Sequence, residues 1–213
     1  MRISHQRKFI FYSNPKCGSE SIRKLLNPYT DVFDVKYYQV TDNNPYYSHI
    51  SPKEVKSIFE EKKIDYDNYS KFITTRNPYT KMFSLYRMIY KNSWYKPNFS
   101  KWLESTASYG NGALTNDKQS RARKYGSYSL ENLILDKDSN LLVNKVIKLE
   151  QLKEELPSFL KTLDIHIHGF QIPVINTRPS KSLLTDVYTD NAVQIIEKRY
   201  KWELDEFNYQ KPF

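Results

Sequence analysis

The stretch from Phe9 to Leu26 constrains the fold of this chain most, because it joins an apolar run to a helical pattern through a short turn. Residues 9–13 are typical of a buried strand, and the Pro, Gly and Ser residues of 14–21 predict a tight turn into a helix. Such a turn directs backbone N–H groups, the positive end of a helix dipole and the ammonium of Lys16 at one small volume that suits a phosphate. Lys16 precedes Gly18, whereas the P-loop of nucleoside triphosphatases has its Lys directly after its last Gly, so the Walker spacing does not match.

A second strand, turn and helix follow at Phe72–Arg87. Residues 71–75 predict a core strand, and Asn77-Pro78 predicts the start of a helix with an apolar stripe that begins at Met82. Arg76 stands between the two elements, so a permanent cation is expected at the end of the strand.

Taken together, the two stretches resemble the nucleotide-binding elements of sulfotransferases. Two motifs carry this resemblance, which are Pro15-Lys-Cys-Gly-Ser-x-Ser-Ile-Arg23 and Arg76-Asn-Pro-Tyr-x-Lys-x-x-Ser-x-Tyr-Arg87. The resemblance continues in Val146–Leu152, Asn176-Thr177 and Tyr200–Tyr209. The chain looks most like the carbohydrate-type family that includes heparan and chondroitin sulfotransferases. The resemblance implies a single α/β domain over 1–213, with a central, mainly parallel sheet flanked by helices in a P-loop-like sulfotransferase fold.

The resemblance also implies a donor, 3′-phosphoadenosine 5′-phosphosulfate (PAPS), which leaves as 3′-phosphoadenosine 5′-phosphate (PAP), and it implies no metal. It assigns the 5′-phosphosulfate to the first turn, with Lys16 also stabilising charge on the bridging oxygen, and the 3′-phosphate to Arg76 and Ser84. Arg178 and Lys181 could close over the nucleotide. The residues of the first turn are Lys16, Cys17, Gly18, Ser19, Glu20 and Ser21. The family usually has Thr or Ser where this chain has Glu20, so the Glu20 carboxylate is expected to point away from the phosphate.

His49 is the expected base that removes the proton of the acceptor hydroxyl. The family's carbohydrate enzymes often place a His between the two nucleotide elements, and an imidazole titrates near working pH. The alternative is a polar loop histidine ahead of a helix, since Ser51-Pro52-Lys53-Glu54 reads as a capping box. His166 and His168 stand two residues apart and could share a face, but no third metal ligand is in view.

The composition of the chain limits the class of its binding partners but does not identify them. A formal charge of +9 indicates an attraction to anions, and PAPS with an acidic glycan would account for it. A saccharide hydroxyl is the favoured acceptor, although a lipid headgroup, a tyrosine peptide or a small alcohol also offers a hydroxyl. The alternatives are a nucleotide-binding protein without turnover, an ATP-dependent kinase-like phosphotransferase, and a basic nucleic-acid binder. The Lys and Arg residues are scattered, so we expect no nucleic-acid partner.

The remaining expectations concern compartment and secondary structure. The single cysteine excludes an intramolecular disulfide, and without a membrane anchor or signal the chain is expected to be soluble, cytoplasmic and of bacterial or viral source, with an open oligomeric state. Residues 1–7 are interpreted as a polar lead. Residues 130–135 and 141–149 predict two strands, 151–163 a helix, and Asp190 the cap of the last helix.

Overall fold

The computed structural model describes residues 1–106, 128–167 and 181–213. The strands are β1 (Arg2–Ser4), β2 (Phe9–Tyr12), β3 (Val32–Phe33), β4 (Ser70–Thr75) and β5 (Lys145–Lys148). The helices are α1 (Ser19–Leu26), α2 (Pro52–Glu61), α3 (Pro78–Ile89), α4 (Phe99–Thr106), α5 (Leu130–Ile134), α6 (Leu152–Lys161), α7 (Lys181–Val187), α8 (Asp190–Arg199) and α9 (Lys201–Glu206). Short 3-10 turns occupy Asn27–Tyr29, Tyr37–Gln39 and Leu149–Gln151.

The strands of the described residues form one five-stranded sheet in the order β3-β1-β2-β4-β5. β1 pairs antiparallel with both β2 and β3, whereas β2, β4 and β5 run parallel. The α/β class is confirmed, but the prediction of a mainly parallel sheet is wrong, because the sheet is mixed. The error lies in residues 1–7: a three-residue strand with Ile3 as its apolar centre gives no periodic signal, and its pairing with β2 decides its conformation.

Two further sequence predictions are wrong. Residues Leu130–Ile134 form α5 rather than a strand, and Leu130 and Ile134, four residues apart, are both fully buried, as one helical face requires. A short apolar run does not separate the two conformations by itself. Helix α8 is capped by the Thr189 hydroxyl, which accepts from Ala192 N, so Asp190 is the first helical residue and not the cap.

The predicted capping box at the start of α2 is confirmed. The Ser51 hydroxyl accepts from Glu54 N at 3.2 Å, and the Glu54 carboxylate accepts from Ser51 N at 2.9 Å. The predicted Asn77 cap of α3 is confirmed as well, since its side-chain oxygen accepts from Tyr79 N at 3.1 Å.

Contacts divide the chain into two compact units, which are Met1–Thr75 with Leu133–Asn176 and Arg76–Asn132 with Thr177–Phe213. The prediction of one domain stays a prediction. In the first unit, α1 and α6 pack on the sheet through a buried apolar cluster, and each fully buried Phe or Leu contributes about 2 kcal/mol. The members are Phe9, Phe11, Ile22, Leu25, Leu26, Phe72, Ile147, Leu152, Leu156, Leu160 and Ile165.

In the second unit, α3 packs with α4, α7 and α8 around Met82, Phe99 and Ile196. This core also holds an ion pair between Lys81 and Glu203, whose side chains are both fully buried. Within the described parts of the chain, no helix combines the length and apolar character that a membrane crossing needs.

Candidate functional site

The turn between β2 and α1 is closed by its own polar groups. Cys17 N donates to the carbonyl oxygen of Asn14 at 3.3 Å, and the Ser19 hydroxyl donates to the same oxygen at 3.3 Å. The Asn14 amide in turn donates to Thr74 O at 3.0 Å, and the Thr74 hydroxyl donates to Cys17 O at 2.8 Å. These two bonds tie the turn to β4, the parallel neighbour of β2, so the turn is fixed at the edge of the sheet where both strands end.

Gly18 gives the turn its shape. Its φ of 76° lies in the left-handed region, which side-chain-bearing residues rarely adopt. A Cβ added here would lie 2.6 Å from Leu149 Cδ1, so a side chain would fit only if the end of Leu149 moved. Gly18 is the N-cap residue of α1, and the backbone N–H groups of the first helical turn therefore begin directly after it.

Each predicted member of the turn has a distinct placement. Lys16 is half-buried and also has a positive φ, 64°. Cys17 is fully buried, and its thiol donates to Pro15 O at 3.4 Å, so its side chain supports the turn from inside. Ser19 is the first residue of α1, and its hydroxyl is used within the turn. Ser21 is buried near the start of α1.

Glu20 lies in the first turn of α1, and its side chain is directed to solvent. Its side chain is 61% exposed, and its carboxylate lies 3.8 Å from the ammonium of Lys24 on the solvent side of α1. An exposed pair of this kind contributes little to stability. A carboxylate directed to solvent leaves the N–H groups of the helix start electrostatically available to an anion.

His49 contacts the strand end that leads into the turn. Its Nδ1 lies 2.8 Å from the carbonyl oxygen of Ser13, and because a carbonyl only accepts, Nδ1 carries the proton. The pKa of His49 is lowered to about 4, mainly because the side chain is buried. The Met1 amino group and Arg23 lower the pKa further, whereas the hydrogen bond to Ser13 raises it. The imidazole is therefore neutral at pH 7, with the basic lone pair on Nε2.

In the second unit, Arg76 is buried although it is always charged. Its Nε donates to the Thr80 hydroxyl at 2.9 Å, and that hydroxyl donates to Asn77 O at 3.0 Å. This chain of bonds holds the guanidinium at the start of α3. Ser84 lies on α3 and is half-buried.

Lys81, which belongs to the Arg76–Arg87 motif, forms a buried ion pair with Glu203. Its ammonium lies 3.7 Å from Glu203 Oε1 and donates to Tyr128 O at 2.9 Å. Burial raises the pKa of Glu203, against the opposing effect of Lys81.

The side chains of three predicted positions lie outside the described residues. Arg178 and His168 lie outside the described residues, and Lys181 begins α7 but its side chain is outside them. His166 is 51% exposed and lies 3.4 Å from Asp164, and the described residues contain no group of side chains that could hold a metal ion.

Sequence reasoning missed Asp34, a buried carboxylate that bonds Arg23 on α1 and Ser48 beside His49. These contacts join residues 11 and 14 positions apart, and Asp34 lies outside any helix or strand, where no periodic pattern exists to reveal them. It also missed the Thr74 hydroxyl as a support of the turn. Comparisons of the chain with models of protein families, with curated proteins and with solved structures found no match.

Proposed function

We propose that this chain is a sulfotransferase that transfers the sulfuryl group of PAPS to a hydroxyl, with a saccharide as the favoured acceptor. The observation that carries the proposal is the 2.8 Å contact between His49 Nδ1 and Ser13 O. It holds a neutral imidazole, with Nε2 able to accept a proton, at the start of a turn suited to an anion. Group transfer to a hydroxyl needs a base beside such a turn, because the proton of the hydroxyl must be taken up.

The turn supports the donor assignment. Gly18 has a left-handed backbone, α1 begins directly after it, and Lys16 supplies a cation in the same turn. Backbone N–H groups, the helix dipole and an ammonium are the usual partners of a phosphate or sulfate. Cys17, Ser19 and Ser21 shape this turn, and Glu20 takes part through its backbone. The parallel β2, β4 and β5, with a helix after β2, are compatible with a P-loop-like sulfotransferase fold, which belongs to the same proposal.

In the proposed reaction, the acceptor oxygen bonds to sulfur while the bond between sulfur and the bridging oxygen of PAPS breaks. The acceptor's proton moves to Nε2 of His49, and the ammonium of Lys16 stabilises the charge left on the bridging oxygen. PAP and the sulfate ester are the products. By the resemblance, Arg76 and Ser84 bind the 3′-phosphate, with Arg178 and Lys181 as further candidates.

Calorimetry tests the ligand class first. We expect PAP to bind at least about tenfold more tightly than ADP, since ADP lacks the 3′-phosphate that a buried arginine would pair with. Equal affinities would favour the ATP-dependent phosphotransferase. Tight oligonucleotide binding that weakens steeply with salt would favour the nucleic-acid binder, and PAP binding without any transfer would favour a binding protein.

Sulfate transfer from labelled PAPS to a panel of saccharides, lipids, peptides and alcohols tests the reaction. His49→Ala should lower kcat by about 10²–10⁴-fold, and Lys16→Ala by about 10²–10³-fold. His166→Ala and Lys24→Ala are the matched controls, because both side chains are more than half exposed. Near-normal turnover in the His49 variant would remove it as the base.

The acid limb of the pH profile gives an independent check on His49. Because its pKa is lowered to about 4, the imidazole stays neutral well below pH 6.5 in the free protein. We therefore expect kcat/KM to hold down to about pH 5 and to fall only as pH approaches 4. An acid limb near 6.5 that disappears in the His49→Ala variant would contradict the burial of the imidazole.

A further inference from the structure

The carboxylate of Asp34 joins the segment that carries His49 to α1, the helix that begins at the turn between β2 and α1, which we call the anion-binding turn. Its side chain is only 4% exposed, although it lies in an irregular segment after β3. It contacts Arg2 on β1, Arg23 on α1, the Ser48 hydroxyl and the Met1 amino group. A carboxylate removed from water in this way needs such donors to remain ionised.

Three of these groups form a closed ring of hydrogen bonds. Arg23 Nη1 donates to Asp34 Oδ2 at 2.7 Å and to the Ser48 hydroxyl oxygen at 3.2 Å. The Ser48 hydroxyl donates its own proton to Asp34 Oδ2. The Ser48 side chain is therefore held by two bonds that both depend on Asp34, one directly and one through the orientation of Arg23 on α1. The Ser48 carbonyl oxygen also accepts from the Met1 amino group at 3.1 Å.

His49 follows Ser48 in the chain, so the ring fixes one side of the histidine. The other side is fixed by the 2.8 Å contact of Nδ1 with Ser13 O. Ser13 directly follows β2, and α1 begins after the turn, so both restraints hold the imidazole near the elements that flank the anion-binding turn.

We propose that Asp34 is a positioning residue, which orients His49 toward the anion-binding turn through Ser48 and Arg23. The inference rests on the proposed function, because it gives His49 its use as a base. The ring acts on the imidazole through the backbone of residues 48 and 49, so Asp34 itself need not touch PAPS or the acceptor. A shift of about 1 Å in a reacting group can cost about 100-fold in rate.

Because Asp34 is charged, its removal should change the pKa and tautomer of His49, which a purely structural role would leave unchanged. Arg23 and the Met1 amino group lower the pKa of His49, whereas Asp34 raises it. Removing the negative charge while the ring is loosened should therefore lower the pKa of His49 further. It should also release Nδ1 from Ser13 in part, so that the Nε2-protonated tautomer becomes populated.

Ser48→Ala and Asp34→Asn test the proposal. The control is Asp42→Asn, at an exposed residue of the same segment, and Ser48→Thr is the conservative variant. We expect the first two to lower kcat by about 10- to 100-fold, while the calorimetric affinity for PAP stays within about threefold. Ring-nitrogen chemical shifts of labelled histidine should show one Nδ1-protonated tautomer in the unmodified chain and the control, and a mixture in the first two. Ser48→Thr keeps the hydroxyl and should restore most of the loss in S48A.

The outcomes separate this inference from the proposed function. Unchanged kcat and an unchanged tautomer in S48A would overturn the positioning role, even where the unmodified chain transfers sulfate. Absence of transfer by the unmodified chain would overturn the proposed function, and the tautomer alone would then decide whether Asp34 positions His49. S48A removes one side-chain hydroxyl and keeps both charges of the ring, so the test stands even if D34N does not fold.

Discussion

Replacing Gly18 with alanine probes the turn at its most constrained point. The backbone there has a φ of 76°, and the new Cβ would lie 2.6 Å from Leu149 Cδ1. Two costs follow, because the alanine must adopt a left-handed conformation and the Leu149 side chain must move. Leu149 begins the 3-10 turn after β5, so the collision is with an element of the same unit.

The two costs have separate magnitudes. A left-handed conformation costs a residue with a side chain about 1–2 kcal/mol relative to glycine. Moving the end of a flexible leucine out of its rotamer costs about 0.5–1.5 kcal/mol. We therefore expect Gly18→Ala to lower the free energy of unfolding by about 2–3 kcal/mol. The first cost depends on the backbone alone, and the second disappears once the leucine is shortened.

Urea unfolding of a double-mutant cycle measures both parts. In the Leu149→Ala background, Gly18→Ala should cost about 1 kcal/mol less than in the unmodified chain, and the coupling energy is that difference. Lys63, which has a φ of 54° just after α2, is the control of opposite sign: Lys63→Gly should stabilise by up to about 1 kcal/mol. A cost below about 0.5 kcal/mol for G18A would refute the backbone argument, and zero coupling would refute the collision with Leu149.

Three further predictions concern stability. Ser51→Ala should lower the free energy of unfolding by about 1 kcal/mol through loss of the α2 cap, with the exposed Lys53→Ala as its control in urea unfolding. Asp34 has a pKa of about 2 instead of 3.8, because its positive and hydroxyl partners outweigh its burial. Its contribution of about 2 kcal/mol is present above pH 4 and should be lost as pH falls to 2, a slope that Asp34→Asn should reduce. Lys81→Met should cost about 3 kcal/mol because it leaves Glu203 buried without its cation, and Lys81→Met with Glu203→Leu should recover most of that loss in thermal unfolding.

Local patterns were sufficient wherever one element carried its own signal. The buried run at Phe9 to Tyr12, the capping box at Ser51 and the Asn77-Pro78 start of α3 were read from the sequence and are confirmed. Each depends on side chains within a few residues, so neighbours along the chain decide the conformation. The glycine of the first turn belongs to the same group, because its left-handed backbone is a local requirement.

Other features were decided by contacts between distant residues. The strand β1 exists because Arg2–Ser4 pairs with Phe9–Phe11, and α5 forms where Leu130 and Ile134 can both be buried. The assignment of Arg76 and Ser84 to the 3′-phosphate stays a prediction.

The sequence by itself determined a strand, a tight glycine turn and a helix, and it predicted from them an anion site and His49 as a candidate base. Tertiary structure alone brought His49 to Ser13, 36 residues away, and gathered Arg23 and Ser48 around Asp34. The physical reason is that an anion-binding turn is built from successive backbone groups, whereas the pKa and tautomer of a histidine depend on burial and on partners that only folding brings near.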